Sequence, residues 1–279
     1  MHTNKNSLIL PNTGNLQDAD NKELKNVEKE SNSCQSWEEI FEKLPWFKDS
    51  LNDIFISKKN SLELLLKLNG HTISPTGEYT IQNWIDTVDH IKSTIEYNDK
   101  MNHILEIGCG AGALLKMFNN KSNVLYGIEP STLYFNIVSN VFPEGNFING
   151  DALELSKITN YSLDIILAHS TVQYFTDLNY FEKVINICYQ KLKKGGKLVF
   201  TDLCDKDKYD KSMNYRIKKI GYDKYKEKYL DTNLKHFYIS RNEINNIIKD
   251  KFKLIKFTNA IKRGDEEDYY RFNFFSIKN

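Results

Sequence analysis

The stretch that most constrains this chain is His103-Ile104-Leu105-Glu106-Ile107-Gly108-Cys109-Gly110-Ala111-Gly112-Ala113-Leu114-Leu115. A short apolar run breaks into three glycines at every second position, then resumes with helical spacing. This predicts a strand, a tight turn and a helix. Glycine suits a backbone that turns sharply and approaches a ligand with no Cβ in the way. A helix starting near Gly112 directs its free N–H groups back into the turn, which then suits a nucleotide-like or carboxylate-bearing ligand. Gly108, Gly110 and Ala113 also satisfy the relaxed dinucleotide fingerprint, so an NAD enzyme stays open on glycine spacing alone.

Two acidic residues narrow the choice. Glu106 sits two residues before the first glycine, inside the strand end. A second strand, Val124-Leu125-Tyr126-Gly127-Ile128, ends on Glu129, placed to take a ribose diol. With these residues the chain resembles the class I S-adenosylmethionine-dependent methyltransferases. Their first motif is an acidic residue followed by G-x-G-x-G, and their second strand ends in an acidic residue. The resemblance implies S-adenosyl-L-methionine as cofactor. It puts Glu106, Gly108, Cys109, Gly110, Gly112, Glu129 and the adjoining Pro130 at that cofactor.

Composition removes several other classes. The 279 residues carry 38 basic and 37 acidic side chains, a net charge of +1. No global field favours nucleic acid or a membrane surface. Cys34, Cys109, Cys188 and Cys204 are scattered and form no C-x-x-C pair, and the six histidines do not cluster at metal-ligand spacings. That argues against a disulfide framework or a zinc site and for a reducing cytoplasm. Leu8-Ile9-Leu10 is too short for the core of a signal peptide, and no run approaches a membrane span.

The chain divides by pattern. Residues 1 to about 33 are polar, Asn- and Lys-rich, and read as a disordered tail. Residues 34–100 read as a helical N-terminal cap. It opens with the capping-box spacing Ser36-Trp37-Glu38-Glu39, and Pro45 ends its first helix. Leu51, Ile54 and Phe55, then Leu62, Leu64, Leu65, Leu66 and Leu68 closed by Asn69-Gly70, suggest two more helices. Trp84, Ile85, Val88, Ile91 and Ile95 suggest another. From residue 101 to 279 strands are expected at 103–108, 123–129, 146–149, 163–168 and 197–202 with helices between them. The helix from Asp177 to Lys193 is expected to end at Gly195-Gly196. Residues from 205 to about 230–236 read as a Lys- and Tyr-rich helical insertion. Ser240-Arg241-Asn242-Glu243 is another capping box, and two late strands, 253–261 and 269–277, suggest an antiparallel hairpin on the sheet edge. The expected fold is α/β: a doubly wound, Rossmann-like sheet with that hairpin and the helical cap.

Further site residues follow the strand ends. Asp151, after the third strand in Asn149-Gly150-Asp151-Ala152-Leu153, is placed to accept from an adenine amino group while the Ala152 N–H serves a ring nitrogen; the bland alternative is a plain turn Asp. In a doubly wound sheet, chemistry collects at strand C-terminal ends. There the fourth strand releases His169-Ser170-Thr171-Val172-Gln173-Tyr174-Phe175. His169 either contacts the methionine portion of the cofactor, acts as a base, or is a buried histidine satisfied by backbone. His169, Tyr174 and Asp202 are the catalytic candidates, and Tyr79 and Trp84 offer aromatic faces to shield a cationic sulfonium.

The same strand exit is similar to the methyltransferase domains of nonribosomal peptide synthetases, which carry N-S-V-V-Q-Y-F there and a Gly-Asp after the fifth strand, where this chain has Thr201-Asp202. Ser74-Pro75-Thr76-Gly77-Glu78-Tyr79 with Trp84, Lys262-Arg263-Gly264, and Tyr270-Arg271-Phe272-Asn273 resemble further segments of those domains, so the likeness spans residues 74–277. His169 replaces their Asn, which departs from the role that Asn plays near the cofactor. The likeness implies methyl transfer to an N or O nucleophile of a small-molecule or carrier-bound natural-product intermediate, in a stand-alone chain. The Lys-rich segment 205–229 reads first as a solvated helical face; as a basic lid it would suit a phosphopantetheine arm on an acidic carrier protein, and no membrane or nucleic-acid partner is expected. Two rival readings stay open. One is an RNA or protein methyltransferase docking through the Lys/Tyr-rich insertion; the other is a non-catalytic cofactor-binding partner subunit. Tyr189 and Lys193 have the Tyr-x-x-x-Lys spacing of dehydrogenases, but at a helix end far from the strand exits.

Overall fold

The computed structural model describes residues 47–57, 59–71, 79–231, 235–260 and 269–279. The expected tail, the Ser36–Glu39 capping box, the segment 74–78 and Lys262-Arg263-Gly264 lie outside the described residues. Among the described residues three helices precede the sheet: α1 (Phe47–Phe55), α2 (Leu62–Leu68) and α3 (Ile81–Thr94). Ser61 caps α2 by accepting from the Leu64 N–H, and Thr80 and Asn83 form a reciprocal capping box on α3.

Strand–helix alternation follows: β1 (His103–Ile107), α4 (Ala113–Phe118), β2 (Val124–Glu129), α5 (Thr132–Val141), β3 (Asn146–Asn149) and β4 (Leu163–His169). Then come α6 (Leu178–Lys191), β5 (Leu192–Cys204), α7 (Tyr209–Ile220), α8 (Tyr222–Tyr225), α9 (Arg241–Ile248), β6 (Phe252–Asn259) and β7 (Arg271–Lys278). The strands form one sheet in the order β3-β2-β1-β4-β5-β7-β6. The first five are parallel, and β7 runs antiparallel to both β5 and β6. The late pair is the expected antiparallel one, with its second strand inserted inward of its first.

Side-chain alternation along each strand feeds two apolar layers. On one face Ile104, Leu125, Ile165, Leu167 and Val199 share a core with Leu65 and Leu68 of α2, Trp84 and Val88 of α3, and Ile137 of α5. On the other, Leu105, Ile107, Ile166, Leu198 and Phe200 pack against Phe181 and Ile185 of α6 and Ile244 of α9. The helices before β1 are therefore built into the core of the sheet itself. Strand order reverses between β1 and β4, and the C-terminal ends on either side of that reversal open the crevice where such sheets bind ligands.

Helix boundaries differ from expectation in one place. Helix α6 ends at Lys191 and the chain enters β5 directly, with Gly195-Gly196 inside the strand. Leu163 pairs with Leu192 but Ile165 with Lys197, so the residues between are looped out, and Gly195 takes φ +76°. The glycines serve that bulge and not a helix cap. Asp164 fixes it: its carboxylate accepts from Lys193 Nζ at 2.8 Å and from the N–H of His103 at 3.0 Å. Lys193 is thus paired with Asp164 in the sheet.

Candidate active site

The turn after β1 is strained in the way its glycines permit. Gly108, Gly110 and Gly112 have φ of +66°, +52° and +84°. A Cβ on Gly108 would stand 2.5 Å from Thr171 Cγ2, and one on Gly112 2.5 Å from Phe142. Every N–H of the turn is engaged. Gly108 and Cys109 donate to the Ile128 carbonyl, Gly112 to the Cys109 carbonyl, Gly110 to Glu129 Oε2 at 2.8 Å, and Ala111 to Asn69 Oδ1 at 2.7 Å.

Glu129 ends β2 buried, and its Oε1 also accepts from the Ser131 N–H at 3.0 Å. Two backbone donors orient this carboxylate at the turn. Pro130 follows it, exposed, its carbonyl accepting from Asn149 Nδ2. Glu106 behaves differently. It is 3% exposed, accepts from the Leu115 N–H in the first turn of α4, and has a second oxygen with no hydrogen-bond partner among the described residues. Burial, then the charge of Glu129, hold its carboxyl well above the usual carboxylate range. Burial and the same two carboxyls push the Cys109 thiol up as well.

Asp151 follows β3, exposed, and caps the short 3₁₀ turn Ala152–Lys157 by accepting from the Leu153 N–H at 2.8 Å. The turn role is present, and the exposed position leaves the carboxylate accessible. The hydroxyl of Tyr180 lies against Asp151 and the backbone of Ala152 and Leu153; burial, then Asp151, push it up to about 12.

At the end of β4, His169 Nδ1 meets Thr201 Oγ1 at 2.9 Å, and the Trp84 ring stands edge-on to His169 at 5.1 Å. His71 stacks on Tyr79 at 5.1 Å and tilts onto Trp84 at 5.6 Å. A row of four rings thus runs from the end of α2 to the end of β4. The buried Trp84 Nε1–H has no acceptor among the described residues.

Tyr174 and Asp202 turn toward the insertion instead. Ser170 (φ +53°) and Asp202 (φ +65°) are non-glycine residues in the left-handed region at neighbouring strand ends, joined by a hydrogen bond from Ser170 Oγ to Asp202 Oδ2. Such strain clusters at functional sites. Arg271, 8% exposed, donates to Asp202 Oδ2 and to its carbonyl, each at 3.1 Å, and to Gln173 Oε1. Gln173 donates to the Tyr174 hydroxyl at 2.6 Å, and burial raises that phenol well above its ordinary value. Beyond it lies His236, edge-on to Tyr174 at 5.4 Å, with Arg216 of α7 3.4 Å from its Nδ1. Burial, then Arg271 and Arg216, hold His236 down to about 3. Arginine only donates, so His236 Nδ1 is an acceptor and the proton sits on Nε2.

The predicted residues therefore fall into two groups. Glu106, Gly108, Cys109, Gly110, Gly112, Glu129, Asp151, Trp84, Tyr79 and His169 gather around the turn and the ends of β1–β4. Tyr174 and Asp202 join a polar cluster under the insertion. Asn69, His71, Thr171, Tyr180, Arg216 and Arg271 were not singled out as site residues. Arg271 had a signal, a cation directly before the aromatic-rich strand segment Phe272-Asn273-Phe274-Phe275.

The residues fit S-adenosylmethionine. Glycine-only space, an oriented carboxylate at β2, an accessible one after β3, and the orphaned polar atoms of Glu106 and Trp84 suit a polar, nucleoside-bearing ligand. A family model described as a methyltransferase domain matches residues 105–200. An uncharacterized methyltransferase of Bacillus thuringiensis is 36% identical over 121 residues, 42% of this chain and 55% of that protein. The malonyl-acyl-carrier-protein O-methyltransferase of Calditerrivibrio nitroreducens is 31% identical over 143 residues, 50% of this chain and 54% of that protein. The chain thus spans about half the length of the curated relatives it matches. The magnesium protoporphyrin IX methyltransferase of Synechocystis PCC 6803, solved with S-adenosylhomocysteine bound, superposes with a TM-score of 0.54 at 13% identity, covering 83% of this chain and 99% of that one. With the sheet order, the glycine turn and the acidic end of β2 in agreement, this chain carries a class I S-adenosylmethionine-dependent methyltransferase domain.

Proposed function

We propose that the protein transfers the methyl group of S-adenosylmethionine to an N or O nucleophile of a small-molecule or carrier-bound biosynthetic intermediate. The observation that carries this reading is the buried polar cluster of Gln173, Tyr174, Asp202, His236 and Arg271 beyond the cofactor crevice, roofed by the insertion. Polar donors buried beneath the helices of the insertion suit a small acceptor, or one presented on a slender arm, better than a folded macromolecule. The carrier-protein substrate named for the relative from Calditerrivibrio nitroreducens favours an acyl unit on a carrier.

The cofactor, when bound, supplies the electrophilic methyl. Gly108, Gly110, Gly112, Glu129 and Asp151 would hold and orient it, and Trp84, Tyr79 and His169 would shield its sulfonium. Displacement at carbon needs an in-line approach, so orientation supplies most of the acceleration. Proton removal needs only a group near the acceptor. His169 is the candidate base, because Asp202 is locked by Arg271 and Ser170 and His236 is too weak a base at about 3. Tyr174 and Arg271 act as donors that position the acceptor. We assign the protein to the cytoplasm, the reducing compartment that suits the buried thiols of Cys109 and Cys188. No described helix is long and apolar enough to cross a membrane.

The test is transfer of labelled methyl from S-adenosylmethionine to acyl units on holo-carrier protein, to the matching free acids and amines, and to RNA and bulk protein. Label on the carrier-bound or free small acceptors supports the proposal. Alkali-labile label identifies an ester oxygen as acceptor, and alkali-stable label a nitrogen or ether oxygen. Label confined to RNA or protein overturns it, as does cofactor binding with no transfer to any acceptor.

A further inference from the structure

The cofactor turn takes one of its fixings from outside the sheet. Four of its five N–H groups are satisfied by the turn itself or by β2, but Ala111 donates to Asn69, the C-cap residue of α2. The same side chain explains Gly110 beyond its backbone angle: a Cβ there would stand 2.6 Å from Asn69 Oδ1. The carboxamide therefore lies flat against the centre of the turn.

The element that carries Asn69 is itself held. Gly70, at φ +82°, reverses the chain, and His71 N–H closes on the Leu66 carbonyl at 3.0 Å. Tyr134 of α5 donates to the Leu68 carbonyl, tying the end of α2 to the helix that follows Glu129. Leu64, Leu65, Leu66 and Leu68 are buried in the core beneath. Two residues on, His71 links Tyr79 to Trp84 in the row of rings that reaches His169.

We infer that Asn69 is a positioning residue of the cofactor site: its side-chain oxygen sets the Ala111 peptide and the face of Gly110. The end of α2 then forms a wall of the site, and the N-terminal helices are part of the binding machinery. The inference rests on the turn being the cofactor site, and it adds a residue that lies outside both the glycine motif and the matched family segment, 105–200. A merely structural role differs in consequence. It would lower the melting temperature of Asn69 variants and leave the affinity of the folded protein unchanged.

The experiment is calorimetric titration of S-adenosylhomocysteine into wild type, Asn69→Ala and Asn69→Asp, well below all three melting temperatures. Asn69→Ala removes the acceptor and should weaken binding about 5- to 50-fold. Asn69→Asp keeps an acceptor oxygen in place and should stay within about threefold of wild type, although a negative charge at a helix C-terminus lowers its stability. Equal affinity in wild type and Asn69→Ala overturns the inference, while failure of wild type to bind overturns the reading of the turn. If Asn69→Ala does not fold, amide hydrogen exchange on the unmodified protein decides. Slower exchange at both Ala111 and residues 69–71 on adding S-adenosylhomocysteine supports the inference, and unchanged exchange at 69–71 overturns it.

Discussion

Replacing Glu106 with Gln should make the ligand-free protein more stable in mildly alkaline solution, and the sign follows from burial. Glu106 is 3% exposed, has one oxygen without a donor among the described residues, and feels the Glu129 carboxylate. Its folded pKa is raised well above the ordinary value, while in the unfolded chain it titrates near about 4.3. Between those two values the folded protein holds a proton that the unfolded chain has lost. Stability therefore falls as the pH rises, until the folded value is passed. Each unit of elevation costs about 1.4 kcal/mol. Gln keeps an acceptor for the Leu115 N–H and has no charge to bury. Wild type should lose stability relative to Glu106→Gln, at up to about 1.4 kcal/mol per pH unit, as the pH rises from about 5, read from urea unfolding at each pH. Parallel pH dependence in the two proteins refutes the reasoning, as does a Gln variant that unfolds earlier at every pH.

Other consequences follow from single contacts. Asp151→Asn keeps the cap on Leu153, so the melting temperature of the ligand-free protein should barely move while affinity for S-adenosylhomocysteine falls; loss of stability with intact binding would reduce Asp151 to a turn residue. Arg271→Leu leaves Asp202 buried without its counter-ion and should cost about 3–5 kcal/mol in denaturant unfolding, far more than a surface substitution. His169→Ala should slow methyl transfer about 10²–10⁴-fold at nearly unchanged cofactor affinity if the imidazole is the base, with steady-state kinetics as the check. His236, held down to about 3, is neutral in the folded protein and protonated in the unfolded chain below about 6.5. Stability should fall as the pH drops from there toward 3, and His236→Asn should flatten that acid limb in unfolding curves.

The parts legible in the sequence are those with a local physical signature. The glycine turn declared itself because only glycine tolerates three positive φ values in five residues. Glu129 declared itself by ending an apolar strand, and α9 by the Ser240–Glu243 box, which forms as expected. The parts that were not legible depend on contacts across the fold. Asn69 looks like an ordinary helix stop until the turn is brought against it, 42 positions along the chain. Gly195-Gly196 looks like a helix cap until the β4–β5 register requires a bulge. Arg271 and Asp202 lie 69 residues apart, and only the antiparallel insertion of β7 beside β5 joins them. His169, Tyr174 and Asp202 looked like one catalytic group because all leave strand ends. In the fold, His169 faces Trp84, while Tyr174 and Asp202 face the insertion.

The proposed role of the Gly108–Gly112 turn and Glu129 is to hold S-adenosylmethionine. Its most direct test is calorimetric titration of S-adenosylhomocysteine into wild type and Glu129→Ala, with NAD as the competing ligand. Removing the carboxylate takes away the acceptor for the ribose hydroxyls and frees the N–H groups of Gly110 and Ser131, and both effects weaken binding. Wild type should bind, the variant should lose about 1.5–3 kcal/mol, roughly 10- to 150-fold in Kd, and NAD should not bind. Equal affinity in the two proteins, or binding of NAD in place of S-adenosylhomocysteine, would contradict that role.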